Sequence, residues 1–137
     1  MTLKHINDCF VCGKANPEGL KANFVIKDAG VRGEFIPQKS HRGARDLVHG
    51  GIICALLDEA MATLINGALG ADAPTASLEV RFKQPARINE KLIIKASLIN
   101  HNRRIKCAQA VIRREDGTVI AEGKGKFLSN FKKIAPR

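Results

Sequence analysis

The sequence predicts an α+β domain in which a single antiparallel sheet wraps one long apolar helix, and three observations carry that expectation. The chain has 137 residues, the size of one domain and enough to bury a core without staples. From Gly51 onward, Ile52, Ile53, Leu56, Leu57, Ala60, Met61 and Leu64 recur every three or four residues. That spacing gives a helix apolar over much of its girth. The remaining periodic segments alternate with the two-residue period of strands.

Taken in order, residues 1–19 form a lead-in to one domain that spans 1–137. Its CFVCGKANPEGL stretch, Cys9 to Leu20, is rich in Gly, Asn and Pro and predicts structured turns. In KANFVIKDAGVRGEFIP, Phe24 and Ile26 share a parity, Asp28, Ala29 and Gly30 make a turn, and Val31, Gly33 and Phe35 alternate with Arg32, Glu34 and Ile36. A hairpin is expected there. Pro37 ends it, and QKSHRGARD is a polar loop. The helix then runs for about four turns and stops at Asn66, Gly67 and Gly70.

After Pro74 come four strands, TASLEVRF, KLIIKASLI, IKCAQAVIR and VIAEGKGKFL, separated by Asn100–Arg103 and by an Asp116/Gly117 turn. One sheet that buries the helix on its inner face satisfies this order. Its outer face and edges are expected to stay partly apolar and so to pair between subunits. NFKKIAPR, residues 130–137, is a short basic tail.

The net charge of +10, from 23 basic and 13 acidic side chains, favours an anionic partner: nucleic acid, acidic lipid or a phosphate-bearing ligand. Nucleic acid is disfavoured, because the basic residues are scattered, the six Phe sit at core-like parities, and no stacking platform appears. No uncharged apolar run reaches about 18 residues, and MTLKHINDCF lacks the apolar core of a signal peptide. A cytoplasmic protein without a membrane span is expected. Cys54 and Cys107 fall in apolar periodic segments and read as small core residues. Cys9 and Cys12 with Gly13 form a CxxCG pair of zinc-knuckle type, open to packing, redox or metal readings. Since no second CxxC exists, His5, His41 or another subunit would have to complete a structural zinc site.

The central stretch LVHGGIICALLDEAM, Leu47 to Met61, carries the chemistry. Gly50 and Gly51 are expected just before the first helical turn, where backbone amides lack partners, no Cβ blocks approach, and the helix dipole is positive. Such a place can hold negative charge developing on a carbonyl oxygen. Asp58 lies eight residues past Gly50, on about the same side and about 12 Å further along, too far for both to touch one carbonyl within a subunit. An antiparallel pair of helices from two subunits would bring them together. Glu59 projects about 100° away and is expected to be partly exposed or paired with Arg or Lys.

HGGIICALLDEAM resembles the signature of hotdog-fold thioesterases of the phenylacetate-pathway type, with His-Gly-Gly opening the central helix and an acid nine positions after the His, here Asp58. The resemblance continues through PTASLEVRFKQPARINEKL and runs from Gly19 to Asn130. It implies a hotdog fold, a homodimer or homotetramer, and hydrolysis of acyl-CoA thioesters with no cofactor required. By that resemblance the Gly50 amide polarises the carbonyl, His49 shapes the loop, Asp58 from the partner subunit acts as general base or nucleophile, and Thr75 orients the water. The Arg42–Leu47 stretch lacks a side-chain amide that some relatives carry before the His. Gly51, Arg81, Lys83, Arg103 and Arg104 are the expected contacts to substrate and to the phosphates of CoA, with the HNRRIK turn as the densest basic cluster. Two other functions fit the same residues less well: a hotdog protein that binds acyl-CoA or acyl-carrier protein without cleaving it, and a basic nucleic-acid-binding protein.

Overall fold

The computed structural model describes residues 7–129, so His5 and the 130–137 tail lie outside the described residues. Strands β1 (Asn23–Lys27) and β2 (Gly30–Phe35) form the expected hairpin. Asp28 and Ala29 sit between them at φ 51° and 62°, the left-handed pair that a two-residue turn needs to match strand twist. Helix α1 (Gly50–Ala62) continues without a break into a π-helical turn, Thr63–Ala68. It ends where Gly70 takes a φ of 66°. Gly50 and Gly51 belong to the first helical turn, not to the loop before it, their expected place. Strands β3 (Thr75–Phe82), β4 (Leu92–His101), β5 (Ile105–Arg114) and β6 (Val119–Leu128) follow.

All pairings are antiparallel, in the order β1-β2-β4-β5-β6-β3. This is the α+β hotdog fold, one long helix against a curved sheet. Leu56, Leu57, Ala60 and Met61 are fully buried against Ile94, Ile112 and Phe127, each of the larger ones contributing roughly 1.5–3 kcal/mol. The helix comes this close because β6 is glycine at the crossing. A Cβ on Gly123 would lie 3.3 Å from the Leu57 side chain, and one on Gly125 3.2 Å from Met61. By length and composition alone Gly50–Ala68 could cross a membrane, but its apolar face is taken up by the sheet.

The outer face of the sheet is partly apolar, as expected, with Val111 along it, but it is also strongly charged. Arg32, Lys95, Arg113, Glu122 and Lys124 line a groove of about 970 Å³ across it. The sheet edges carry exposed apolar side chains, as expected, notably Leu78 and Phe82 on β3 and Val25 and Ile26 on β1. Cys54 and Cys107 are half-buried instead of core residues, and Cys107, between inward Ala108 and the edge turn, pairs with exposed Lys126 on the outer parity.

Candidate active site

The loop from His41 to His49 sets the helix start. His49 N–H donates to His41 O at 2.9 Å and Gly43 N–H to Leu47 O at 2.8 Å. His49 caps the helix: its Nδ1 accepts from the Gly51 amide at 2.8 Å, which places the ring proton on Nε2. The Gly51 amide is thereby committed, so a ligand would meet Gly51 only through its exposed Cα. The amides of Ile52 and Ile53 fold back on His49 O at 2.9 and 3.3 Å. The Gly50 amide has no acceptor among the described residues and is exposed. It is the donor this end of the helix can offer to a carbonyl oxygen.

Asp58 is half-buried on α1, and its Oδ1 accepts from the Thr75 hydroxyl at 2.7 Å. Thr75 thus places the carboxylate directly; only its lone pairs remain to hold a water. The return of the chain to Thr75 is fixed by Asn66, whose amide donates to Ala73 O at 3.0 Å while its carbonyl accepts from Ala73 N–H at 2.8 Å. Read from sequence, Asn66 was only a helix stop. Its paired clamp depends on the π turn that aims it, which periodicity does not reveal.

Glu59 is partly exposed, as expected, and has no Arg or Lys partner among the described residues. Its Oε1 accepts from the Cys9 thiol at 3.1 Å and its Oε2 from the Thr63 hydroxyl at 3.3 Å. Glu59 sits where the lead-in covers the helix, beside the Cys9 thiol. Cys9, Cys12 and Glu59 bring their ligand atoms within 4.8 Å of one another, a set that could hold a metal ion. Burial, then the hydrogen bond with Cys9 and the negative field of Glu59, push the Cys12 thiol far up. His41 does not complete this set. Its Nδ1 accepts from the Gln38 N–H at 2.8 Å, its ring lies 5.2 Å from Phe35, and burial pulls its pKa down.

The predicted basic residues separate into two groups. Lys83 follows β3 at the helix-start end, where the Phe82 ring lies 3.6 Å from the position of a Cβ on Gly50. Arg81, one residue before, pairs with Glu122 and faces the outer groove, so the sheet stands between it and Gly50. Arg103 and Arg104 are exposed in the β4–β5 turn, which is tied to the other end of β3. Ser129 N–H donates to Arg104 O at 2.9 Å and Leu128 N–H to Pro74 O at 3.1 Å. Lys106 is committed within that turn, to Arg103 O and Ser129 Oγ at 2.8 and 2.9 Å.

The comparisons with known proteins bear on the fold and the family. On solved structures, the chain superposes with a TM-score of 0.82 on a thioesterase superfamily protein that is 27% identical, over 89% of this chain and 60% of that one. The chain therefore spans less than two thirds of that relative. A hypothetical thioesterase from Streptococcus pneumoniae, solved with coenzyme A, gives 0.74 at 17% identity over 80% of this chain and 88% of that one. The E. coli PaaI protein of the phenylacetic acid degradation operon gives 0.75 at 17% identity over 80% of each chain. At such identities the last two establish the fold alone. No curated protein matches. The family model described as the thioesterase superfamily matches residues 46–121, a span that includes His49, Gly50, Asp58 and Thr75, and on that match the chain belongs to the thioesterase superfamily.

Proposed function

We propose that the protein hydrolyses acyl-CoA thioesters, in the cytoplasm and in the manner of the phenylacetate-pathway thioesterases, with Asp58 of one subunit and the Gly50 amide of another sharing each site. The observation that carries this reading is the half-buried Asp58 carboxylate, fixed through Oδ1 by Thr75 with Oδ2 left for a water. Asp58 takes a proton from that water as it attacks the thioester carbon. The tetrahedral intermediate then breaks its C–S bond, and the CoA thiolate leaves, taking up the proton. Alternatively, Asp58 attacks directly to expel the thiolate, and water then cleaves the mixed anhydride to the free acid. The Gly50 amide, at the positive end of the helix dipole, receives the charge that builds on oxygen.

The need for a second subunit follows from length. Gly50 and Asp58 stand about 12 Å apart along one helix, so one carbonyl cannot meet both. Strand β3 has an unpaired edge and exposed Leu78 and Phe82, and such an edge calls for a partner strand. If two β3 strands pair antiparallel about a point between Leu78 and Glu79, Thr75 comes opposite the partner's Phe82, which packs beside the partner's Gly50. That places the acid and the donor in one cleft. It also explains why the broad groove of the single chain lies on the outer face, away from this chemistry: one chain supplies only half of the cleft. Lys83, Arg103 and Arg104 then converge from two subunits on the position of the CoA phosphates, and the pneumococcal relative solved with coenzyme A supports a ligand of that class.

Thiol release from a panel of acyl-CoAs, short to medium chain plus aryl, tests the activity. A mixing experiment tests the shared site. Gly50→Pro deletes the amide yet suits the first helical position, because His49 already has the extended backbone, φ −60° and ψ 134°, that precedes proline. Asp58→Ala and Gly50→Pro chains, inactive separately, should together regain about a quarter of wild-type activity, since half the dimers are mixed and each holds one intact site of two. No recovery from mixed dimers would mean that each site lies within one chain.

A further inference from the structure

We infer that Cys9, Cys12 and Glu59 bind one zinc ion, which pins the lead-in to the flank of the central helix opposite Asp58.

The geometry is close to that of a bound metal. The three ligand atoms lie within 4.8 Å of one another, and Cys9 Sγ is 3.1 Å from Glu59 Oε1. Zinc bonds of about 2.3 Å to sulfur and about 2.1 Å to oxygen, spread tetrahedrally, put sulfur and oxygen roughly 3.5 Å apart. The ion would enter between Cys9 and Glu59, which now share a proton, and move that sulfur and oxygen apart by a few tenths of an ångström. Binding expels the two thiol protons to solvent, leaves the sulfurs as thiolates, and involves no redox change. Two thiolates with one carboxylate suit zinc, and they disfavour calcium or magnesium, which prefer oxygen. Water takes the fourth position.

The lead-in is built to hold the two sulfurs still. Gly13 N–H donates to Cys9 O at 2.9 Å and Ala15 N–H to Asn7 O at 3.0 Å. The turn between the cysteines closes so tightly that a Cβ on Gly13 would fall 2.3 Å from Cys9 N. Leu20 and Ala22 donate to Phe10 O and Val11 O at 2.7 and 2.9 Å, tying the turn to β1. On the helix side, the Thr63 hydroxyl holds Oε2 of Glu59 at 3.3 Å and so turns Oε1 toward the sulfurs. A ligand oriented by a neighbouring hydrogen bond is the usual support of a metal site. The sequence singles out the CxxCG pair, and the thioester chemistry makes no use of it.

The test uses the full chain, purified under reducing conditions and stripped with a chelator, then titrated with cobalt(II) as a spectroscopic stand-in and with zinc. One equivalent of cobalt should bind, with sulfur-to-cobalt charge transfer in the near ultraviolet and the strong visible bands of a tetrahedral site; zinc should displace it and raise the Tm. Cys12→Ser should lose the charge-transfer band, Cys54→Ser should keep it, and Glu59→Gln should weaken binding at least about tenfold. Circular dichroism checks that each variant is folded, and the wild-type titration stands without them. Failure of the reduced wild-type chain to take up either metal stoichiometrically would overturn the inference, and so would unchanged binding in folded Glu59→Gln.

Discussion

On one flank of the central helix, Asp58 accepts a hydroxyl from Thr75 beside the sheet edge that has no partner strand; on the other, Glu59 accepts a thiol from Cys9 beneath the lead-in. The two carboxylates are neighbours in sequence and alike in charge. A single helical step of about 100° sends them to surroundings with different uses. Asp58 keeps one oxygen without a partner among the described residues, whereas both oxygens of Glu59 are engaged, one by Cys9 and one by Thr63. A general base needs a free lone pair within reach of a water. What covers each flank therefore decides which acid can do the chemistry.

The largest expected effect breaks this contrast outright if it fails. Asp58→Ala should lower kcat for acyl-CoA hydrolysis by at least about 100-fold, the usual scale of a general base, with KM little changed. Glu59→Gln should register in metal content and Tm. Wild-type turnover in Asp58→Ala, above all alongside a dead Glu59→Gln, would exchange the roles of the two flanks.

Next in size is the clamp that brings β3 to Asp58. Asn66→Ala removes both hydrogen bonds to Ala73 and leaves the amide and carbonyl of that buried residue without those partners. A loss of about 1–3 kcal/mol is expected in urea unfolding, since leaving buried polar groups unpaired costs that much. An unchanged midpoint would show that the 69–74 loop holds Thr75 in place without Asn66. Thr75 itself tests the placement of the carboxylate at its source. Thr75→Val keeps the shape of the side chain and deletes the donor, and kcat should fall about tenfold, the worth of one hydrogen bond to a charged group. The matching change on the other flank, Thr63→Val, should leave turnover within about twofold.

Much of this was legible in the sequence. Hydrophobic spacing located the helix and all six strands, because burial on one face imposes its period on the chain. The pairing of Thr75 with Asp58 lay within reach of the family resemblance. Other features were not legible, for physical reasons. The Cys9 to Glu59 contact joins residues fifty positions apart; helical phase says which way Glu59 points and nothing about which loop will cover it. The charged groove on the outer face was not foreseen because alternation shows that a strand has two faces without saying how water or a partner treats the second. Arg81 looked like a neighbour of Lys83, yet the pleat turns Arg81 away from Phe82 and into the outer groove, while Lys83 lies beyond the end of β3. The half-buried Cys107 follows the same rule.

The smallest predicted effect concerns Arg103 and Arg104, which stand at the Thr75 end of β3 and so on the Asp58 side of the proposed cleft. Both side chains are exposed, and an exposed ion pair is worth only about 0.2–1 kcal/mol. Replacing both by Ala should therefore raise KM for acyl-CoA by only about fivefold, given a contribution of that size from each. Because screening weakens such contacts, the difference from wild type should shrink as salt rises. A short thioester without the nucleotide has no phosphates to lose and should be hydrolysed equally by both enzymes. Equal KM changes on the two substrates would place these arginines at the acyl end or in the fold itself. The phosphate-binding role would then pass to Lys83 across the dimer, where the cleft has its other exposed cation.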